Sequence, residues 1–330
     1  MTTAGSVRTD LLACPRCFDE LRDDNGLLTC IRCDSRFAVT DGIPSFASTD
    51  EFYDAYADVH CPYSLSPSGV KGVILRFLPF WSWREWQFWR CVVPGCNRLL
   101  DIGCGRGRQL FTERARETVG FDGSLRFARD CAGHYDSVAV GTLPRLPFRS
   151  GIFDMVVSSH VMGHIPVEHK ETLVGEIARI LRSGGVTAHI IETDSQHPVV
   201  VAAKRRPETY CKQFIGQDGH VGLELASQVL GRFERHGFLA SKVRLVDAIV
   251  PSLQNFRKYL NHPDFSDLPG VSWLRRINRW TTGSRAANAA YEVGMGAFHR
   301  TIEQWVGDPE RSQFILVSLV KTVGGERGPE

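Results

Sequence analysis

The nine residues LLDIGCGRG, from Leu99 to Gly107, constrain the fold of this 330-residue chain more than any other stretch. The apolar run from Arg98 to Ile102 predicts a short buried strand, and glycines follow it at every second position. Glycines in this pattern let the backbone turn tightly and approach a bound ligand. Since the next segment, GRQLFTERARE, reads as a helix, the stretch predicts the opening of a βαβ unit.

An acid before the first glycine limits the class of ligand that the loop can bind. A dinucleotide-binding loop has the pattern G-x-G-x-x-G, because its third glycine lets the helix pack closely beneath the pyrophosphate. Counted from Gly103, that third position is Arg108, which disfavours a dehydrogenase. Instead, Asp101 precedes Gly103, Gly105 and Gly107. This arrangement suits a ligand without phosphates, whose ammonium and ribose groups need oxygen acceptors.

A second acid lies at the end of the next predicted strand, ETVGFDGS. Asp122 follows Gly103 by 19 residues, where a carboxylate can accept hydrogen bonds from both hydroxyls of a ribose. The segments SVAVGTLPRLPF, GIFDMVVSSHVMGHI, ETLVGEIARILRSGG and VTAHIIE then continue the alternation of strands and helices. This order predicts an α/β fold around a parallel sheet.

Together these segments resemble the class I S-adenosylmethionine (SAM)-dependent methyltransferases of the ubiquinone-biosynthesis-like, methyltransferase domain 11 type. The resemblance runs from Arg98 to Glu192 and resumes at ELASQVLGRFERHGFLASKVRLV and FILVSLVKT. It implies a Rossmann-like, doubly wound seven-stranded sheet, with the SAM-binding core over residues 98–250 and the last strand and tail over 313–330. The implied activity is SAM-dependent methyl transfer.

The same resemblance assigns the cofactor site. The loop residues would line the methionine side of SAM, those ending the second strand would hold the ribose, and those after the third strand would border the adenine. The serines near the end of the fourth strand would face the sulfonium. The implied residues are Tyr53, Asp101, Gly103, Gly105, Gly107, Asp122, Gly123, Ser124, Thr142, Leu143, Ser158 and Ser159. The family usually has an acid where Thr142 stands, so we expect an altered adenine contact.

Four of the ten cysteines form two C-x2-C pairs near the N-terminus, Cys14 with Cys17 and Cys30 with Cys33. Such pairs can direct four thiolates at one tetrahedral Zn²⁺. A full set of four cysteines leaves no open coordination position, so the metal would be structural and would hold a segment too small to fold by itself. The alternative is a redox or disulfide role. The other cysteines are scattered singly, as thiols of a reducing compartment usually are.

Residues 10–47, ending in the "DGIP" of Asp41 to Pro44, resemble the Trm112-like zinc ribbons of bacterial methyltransferases. We therefore assign residues 1–47 to a ribbon. In the related ribosomal RNA guanine methyltransferases such a ribbon is thought to help hold RNA. Here residues 1–50 carry five basic and eight acidic side chains, which argues against binding phosphate.

Two further segments fall outside the core of the resemblance. Residues 48–97 form a helical linker in which Trp81, Phe88 and Val92 share a face. This aromatic stripe either packs on the core, closes as a lid over an apolar substrate, or lies on a lipid surface. Residues 251–312 form a helical insertion before the last strand, where we expect a substrate contact or the subunit contact of a homodimer.

Three histidines are candidates for the catalytic base. His160 follows the fourth strand directly, where ligands of open α/β sheets bind, and His164 lies in the next turn, with a structural role as its alternative. His220 precedes the next helix and could face the substrate from the opposite wall or serve only the loop. Glu192 and Asp194, which close the fifth strand, could orient a polar acceptor or be solvated.

Charge and composition guide the choice of acceptor. The net charge is only +2, and residues 195–330 carry 18 basic against 13 acidic side chains without a basic run. We therefore expect a small-molecule O or N acceptor, of the kind found in secondary metabolism, with nucleic acid unfavoured. The alternatives are a zinc-ribbon rRNA or tRNA methyltransferase, a SAM-binding scaffold, and a non-methylating SAM-dependent enzyme. The N-terminus does not resemble a secretory signal, and apolar segments are interrupted by charges, so we expect a cytoplasmic protein without a membrane span.

Overall fold

The computed structural model describes residues 7–46, 87–250, 259–268 and 270–322. The N-terminal part forms a small antiparallel sheet in the order β1-β2-β3-β4. Its strands are β1 (Leu21–Asp24), β2 (Leu27–Cys30), β3 (Arg36–Thr40) and β4 (Ile43–Pro44). Tyr53 and most of the 48–97 linker lie outside the described residues.

The main sheet has seven strands in the order β10-β11-β9-β8-β5-β6-β7. All neighbours are parallel except β11, which runs antiparallel to both β9 and β10. The strands are β5 (Cys96–Ile102), β6 (Ala115–Asp122), β7 (Ser137–Val140), β8 (Phe153–Ser159), β9 (Leu181–Glu192), β10 (Phe238–Val246) and β11 (Phe314–Lys321). The predicted fold class, a doubly wound seven-stranded sheet with a small ribbon, is confirmed.

Helices cover both faces of this sheet. Those that pack on its strands are α1 (Gln109–Thr112), α2 (Leu125–Cys131), α3 (Val167–Ile180), α6 (Ala226–Arg235) and α9 (Ile302–Val306). The other helices of the described ranges are α4 (Pro198–Lys204), α5 (Pro207–Tyr210), α7 (Val271–Thr282) and α8 (Arg285–Arg300). Side chains alternate along β5, so Leu100 and Ile102 join the core beneath α3 and α6. Leu99 joins the opposite core, under α1 and α2.

The helix predicted over GRQLFTERARE is wrong beyond its first turn. Only Gln109–Thr112 is helical, and β6 already begins at Ala115. Pairing with β5 extends the strand backward, because Arg98 lies opposite Glu117 and its Nε donates to that carboxylate at 2.6 Å. Strand pairing therefore overrides the local helical pattern.

The ribbon is joined to the main sheet through a shared core. Leu12 bridges Phe148, and Phe46 donates its backbone N–H to the carbonyl of Val140 at 2.8 Å. The guanidinium of Arg179 lies 4.3 Å from the ring centre of Phe18. The end of the ribbon thus lies against the edge of the sheet at β7.

In the sequence, the helices α7, α8 and α9 come between β10 and β11. Tyr210, Phe214 and Tyr259 form a stack with centroid distances of 4.8 and 4.6 Å, and α7 packs on the same cluster. At the base of the insertion, buried Glu303 binds His299 and accepts the backbone N–H groups of residues 248 and 249. None of the helices in the described ranges is long and apolar enough to cross a bilayer.

Candidate active site

The glycine loop after β5 lies at the carboxyl end of the sheet. Gly103, Gly105 and Gly107 have φ values of +66°, +53° and +80°. These values lie in the left-handed region that side chains disfavour. A Cβ on Gly103 would also lie 2.4 Å from Cγ2 of Val161, so only glycine fits at this close approach between the loop and the segment after β8.

Asp101 is fully buried and supports this loop. The hydroxyl of Tyr135 donates to Oδ2 of Asp101 at 2.8 Å, and Nη1 of Arg108 lies 3.4 Å from the same oxygen. The backbone N–H of Arg108 in turn donates to the Tyr135 hydroxyl at 2.8 Å. Burial, with the charge of Asp101, raises the pKa of Tyr135 above its usual range, so the hydroxyl stays protonated. Tyr135 and the pairing of Arg108 were not predicted from the sequence.

Asp122 connects the end of β6 to the loop. One carboxylate oxygen accepts the N–H of Gly105 at 2.8 Å, and the other accepts the N–H of Ser124 at 2.9 Å. A carboxylate is an acceptor-only group with about four lone-pair sites, so Asp122 has the chemistry that the hydroxyls of a ribose need. The hydroxyl of Ser124 caps α2, and Gly123 lies between Asp122 and Ser124 in the sequence.

The residues assigned to the adenine follow β7. Thr142 is exposed and Leu143 is half-buried. A Cβ on Gly141, one residue earlier, would lie 3.5 Å from Cβ of Phe46 and 3.0 Å from the Phe121 ring. The last described residue of the ribbon segment therefore borders this side of the candidate cofactor site.

The two serines at the end of β8 point to opposite faces. Ser158 hydrogen-bonds Nδ1 of His189 at 2.7 Å, and Thr187 contacts the other ring nitrogen at 2.6 Å. Burial lowers the pKa of His189 to about 3, so its ring is neutral. The hydroxyl of Ser159 is buried without a hydrogen-bond partner among the described residues, which leaves it available to a ligand. A role for either serine in binding SAM stays a prediction.

His160 and Glu192 form a direct pair at the carboxyl ends of β8 and β9. Nδ1 of His160 hydrogen-bonds Oε1 of Glu192. His160 has a φ of +59°, an uncommon conformation for a side chain of this kind, and its backbone N–H donates to Ile190 at 3.0 Å. Burial alone would raise the pKa of Glu192, but the attraction and hydrogen bond of His160, with smaller contributions from His220 and His164, lower it to about 2.

The other two candidate histidines lie at the same place. The rings of His164 and His220 are 4.9 Å apart, and Nδ1 of His164 lies 3.1 Å from the carbonyl of Gly219, which can only accept. Gly163 leaves space between Glu192 and His220, because a Cβ there would lie 3.0 Å from Glu192 Oε2 and 3.3 Å from His220 Cδ2. The structure thus brings all three predicted histidines together around one carboxylate.

A buried ionic cluster fixes the segment that carries His220. Lys170 of α3 lies 2.8 Å from Glu224, donates to the carbonyl of Gly222, and is almost fully buried. Arg232 of α6 binds the other oxygen of Glu224. Burial lowers the pKa of Lys170, with Glu224 opposing it. Lys170, Glu224 and Arg232 therefore fix the loop that carries His220, and none of the three was predicted from the sequence as a site residue.

The four N-terminal cysteines form a separate centre. Their sulfur atoms all lie within 4.8 Å of one another, with three pairs at 3.4 to 3.6 Å. A tetrahedral Zn²⁺ with bonds of about 2.3 Å separates its sulfurs by roughly 3.8 Å, so the cluster fits the ion. After each pair the chain turns through a residue of positive φ, Phe18 at +62° and Asp34 at +53°. The two knuckles therefore share one geometry.

Residues 100–189, which run from β5 into β9 across this site, match the family described as a methyltransferase domain. This part of the chain is a SAM-dependent methyltransferase domain. Its fold and its glycine loop agree with that membership, and the four-cysteine centre agrees with a zinc ribbon beside it.

Several curated proteins are similar over the methyltransferase domain. The tRNA (carboxymethyluridine(34)-5-O)-methyltransferase ALKBH8 of Macaca fascicularis is 32% identical over 163 residues, which are 46% of this chain and 22% of that protein. The enzyme of that name from Arabidopsis thaliana is 24% identical, over 38% of this chain and 31% of that protein. An uncharacterized methyltransferase of Mycobacterium sp. (strain KMS) is 35% identical, over 31% and 41%. The chain thus spans less than a third of the two tRNA methyltransferases.

Solved structures are similar to this chain at lower sequence identity. A chain of the complex between the Haloferax volcanii Trm112 methyltransferase activator and a methyltransferase superposes with a TM-score of 0.47 and 17% identity, over 84% of this chain and all of that one. Phosphoethanolamine N-methyltransferase 2 of Haemonchus contortus, in complex with SAM, gives a TM-score of 0.47 and 15% identity, over 87% and 62%.

Proposed function

We propose that this protein transfers a methyl group from SAM to an oxygen or nitrogen acceptor, with His160 as the base that takes the acceptor's proton. The contact between His160 and Glu192 carries this proposal. It lies at the carboxyl ends of β8 and β9, the edge where ligands of open α/β sheets bind. Val161, the next residue, contacts the glycine loop.

The protonation of the pair follows from its geometry. Glu192 is ionised because its pKa is low, so it accepts and Nδ1 of His160 donates. In its neutral form the His160 ring then carries its lone pair on Nε2. Within the described ranges no hydrogen bond engages Nε2, and the side chain is 38% exposed. Nε2 can therefore receive a proton from an acceptor in the mouth of the site.

When bound, SAM would supply a methyl group attached to a positively charged sulfur. A lone pair on the acceptor oxygen or nitrogen would form the bond to the methyl carbon, and the sulfur would leave as S-adenosylhomocysteine. The chain's residues hold the donor through the glycine loop and Asp122 and hold the acceptor's proton at His160. Positioning accounts for most of the acceleration, and a base adds roughly 10²- to 10⁴-fold when the acceptor is a hydroxyl.

The acceptor class has two candidates. A small molecule is favoured by the acidic ribbon. A tRNA nucleoside is favoured by the names of the relatives that match the methyltransferase domain. Zinc in the ribbon would serve the structure in either case, because the four thiolates leave no coordination position open.

Purified protein incubated with methyl-labelled SAM tests the function. The label should move to an acceptor when the small-molecule and RNA fractions of source cells are supplied separately, and S-adenosylhomocysteine should form in equal amount. The labelled fraction identifies the acceptor class. SAM binding without label in either fraction would overturn the proposal and favour a scaffold. A SAM-dependent product without S-adenosylhomocysteine would overturn it in favour of a non-methylating enzyme.

A further inference from the structure

The outer face of α7 carries large aromatic side chains in solvent. Trp273 is 59% exposed and Trp280 is 63% exposed, although tryptophan is among the side chains that gain most from burial. The inner face of the same helix buries Val271 and Leu274 in the aromatic cluster of the insertion. The two tryptophans are therefore not needed to fix the helix in place.

Arginines alternate with these tryptophans. Trp273, Arg276 and Trp280 follow the i, i+3, i+7 spacing that places residues on one helix face, and Arg279 flanks them. Seven residues of α-helix span about 10.5 Å. The sequence VSWLRRINRWTT contains three arginines and no acid, and both Arg276 and Arg279 are exposed. The face thus carries two exposed tryptophans, with Arg276 between them along the helix.

We propose that this face, Trp273, Arg276, Arg279 and Trp280, binds a single-stranded segment of RNA. Indole rings stack on nucleobases of any sequence, and each stacked base contributes strongly to affinity. Guanidinium groups between the rings can bind the phosphates that connect successive bases. The absence of acidic side chains from α7 fits an anionic ligand and not a basic one.

A lipid surface fits this face less well. A helix that lies in a bilayer needs a continuous apolar face, but the aliphatic side chains Val271 and Leu274 of α7 are already buried in the cluster that contains Tyr259 and Phe265. The exposed face alternates rings with charges, as nucleic-acid platforms do. Anionic vesicles are therefore the comparison in the experiment and not the expected ligand.

The insertion is rooted beside the candidate active site. Val246 at the end of β10 pairs with Phe314 at the start of β11, and Phe314 pairs with Glu192. The ring of Phe314 lies 5.4 Å from that of His160. If RNA on α7 is also the methyl acceptor, the inference rests on the function proposed above. RNA binding itself is measured without any methyl transfer.

The test uses the full chain and a fluorescein-labelled single-stranded RNA of about 15 nucleotides, long enough for one such platform. Anisotropy titrations from about 50 to 200 mM salt should show salt-dependent binding. Trp273→Ala and Trp280→Ala should each weaken binding about 10-fold. Arg276→Ala should lower the slope of log affinity against log salt by about one.

Trp305→Ala is the matched control, since Trp305 is 89% exposed but lies on α9. It should leave RNA affinity unchanged, and all four variants should keep the wild-type affinity for SAM. The proposal is overturned if wild type does not bind the RNA at the lowest salt, or if Trp305→Ala weakens binding as much as the α7 variants. Trp273-dependent binding to phosphatidylglycerol vesicles, without RNA binding, would also overturn it. Methyl transfer to a small molecule in those cases would leave the proposed function standing.

Discussion

Nδ1 of His160 hydrogen-bonds a carboxylate oxygen of Glu192, which comes 32 residues later on the neighbouring strand. The second carboxylate oxygen of Glu192 is buried and has no partner among the described residues. An ionised carboxylate in such surroundings stabilises a positive charge on the ring beside it. With His160 as the base that we propose, Glu192 is a positioning residue that would fix the tautomer of His160 and support its protonated form.

Replacing Glu192 by Gln should lower the rate of methyl transfer about 10- to 100-fold, the cost of losing the group that orients a functional imidazole. SAM affinity should not change, because the contacts shown for the Glu192 carboxylate in the described part of the chain are with His160 and beside Gly163. Rates at saturating SAM and binding titrations separate the two effects. Glu234→Gln, on the exposed side of α6, is the control. An equal loss of SAM affinity and rate would indicate a structural role instead.

Gly103→Ala should weaken SAM binding about 10-fold or more, because the new methyl group meets Val161 and the backbone must keep a positive φ. Gly151→Ala is a matched control with a φ of +68° and nothing within 4 Å of the added Cβ. It carries the backbone strain without the collision. The loop account is contradicted if both variants bind SAM equally well in calorimetric titrations.

Stability should fall as the pH drops from about 6.5 toward about 3 because of His189. The folded state keeps this ring neutral, while the unfolded chain protonates it below pH 6.5, so stability is fully present above that pH. The expected slope is up to about 1.4 kcal/mol per pH unit. Urea unfolding should show a flatter profile for His189→Gln, whereas exposed His134→Gln keeps the wild-type slope. Parallel profiles for wild type and His189→Gln would refute the assignment.

Removal of zinc should lower both thermal stability and SAM affinity. The ribbon shares its core with the main sheet, and Phe46 binds Val140 beside the residues assigned to the adenine. A chromogenic chelator should release one zinc per chain, followed by a fall in Tm of several degrees. Cys17→Ser should behave like the zinc-free protein, and exposed Cys211→Ser like wild type. A zinc-free protein with unchanged Tm and SAM affinity would contradict this coupling.

The sequence predicts the features that depend on local requirements. The loop has positive φ values at Gly103 and Gly107, a conformation that favours glycine, so the glycine pattern predicts the loop. The two C-x2-C pairs predict the cysteine cluster, because each short turn brings two sulfur atoms together. The alternation of apolar and helical segments also predicts an α/β fold around a parallel sheet, whereas the seven-stranded doubly wound arrangement was implied only by the family resemblance. Arg108 was informative only as a missing glycine, whereas the structure shows that it binds Asp101.

Contacts between distant segments leave no local signal. Tyr135 reaches Asp101 across 34 residues, and the His160–Glu192 contact depends on the register that pairs Ser159 with Ile190. The exposed face of α7 could not be predicted from the sequence for another reason. A charge count over residues 195–330 averages its arginines with distant acids, while the helix gathers Arg276 and the tryptophans on one side.

The most direct test of the central claim is the rate of methyl transfer by His160→Gln at saturating SAM. Glutamine keeps a hydrogen-bonding side chain but cannot accept the acceptor's proton. For a hydroxyl acceptor the account predicts a rate roughly 10² to 10⁴ times lower than that of wild type, with unchanged SAM affinity and Tm. A rate close to that of wild type in a folded, SAM-binding His160→Gln protein would contradict His160 as the base.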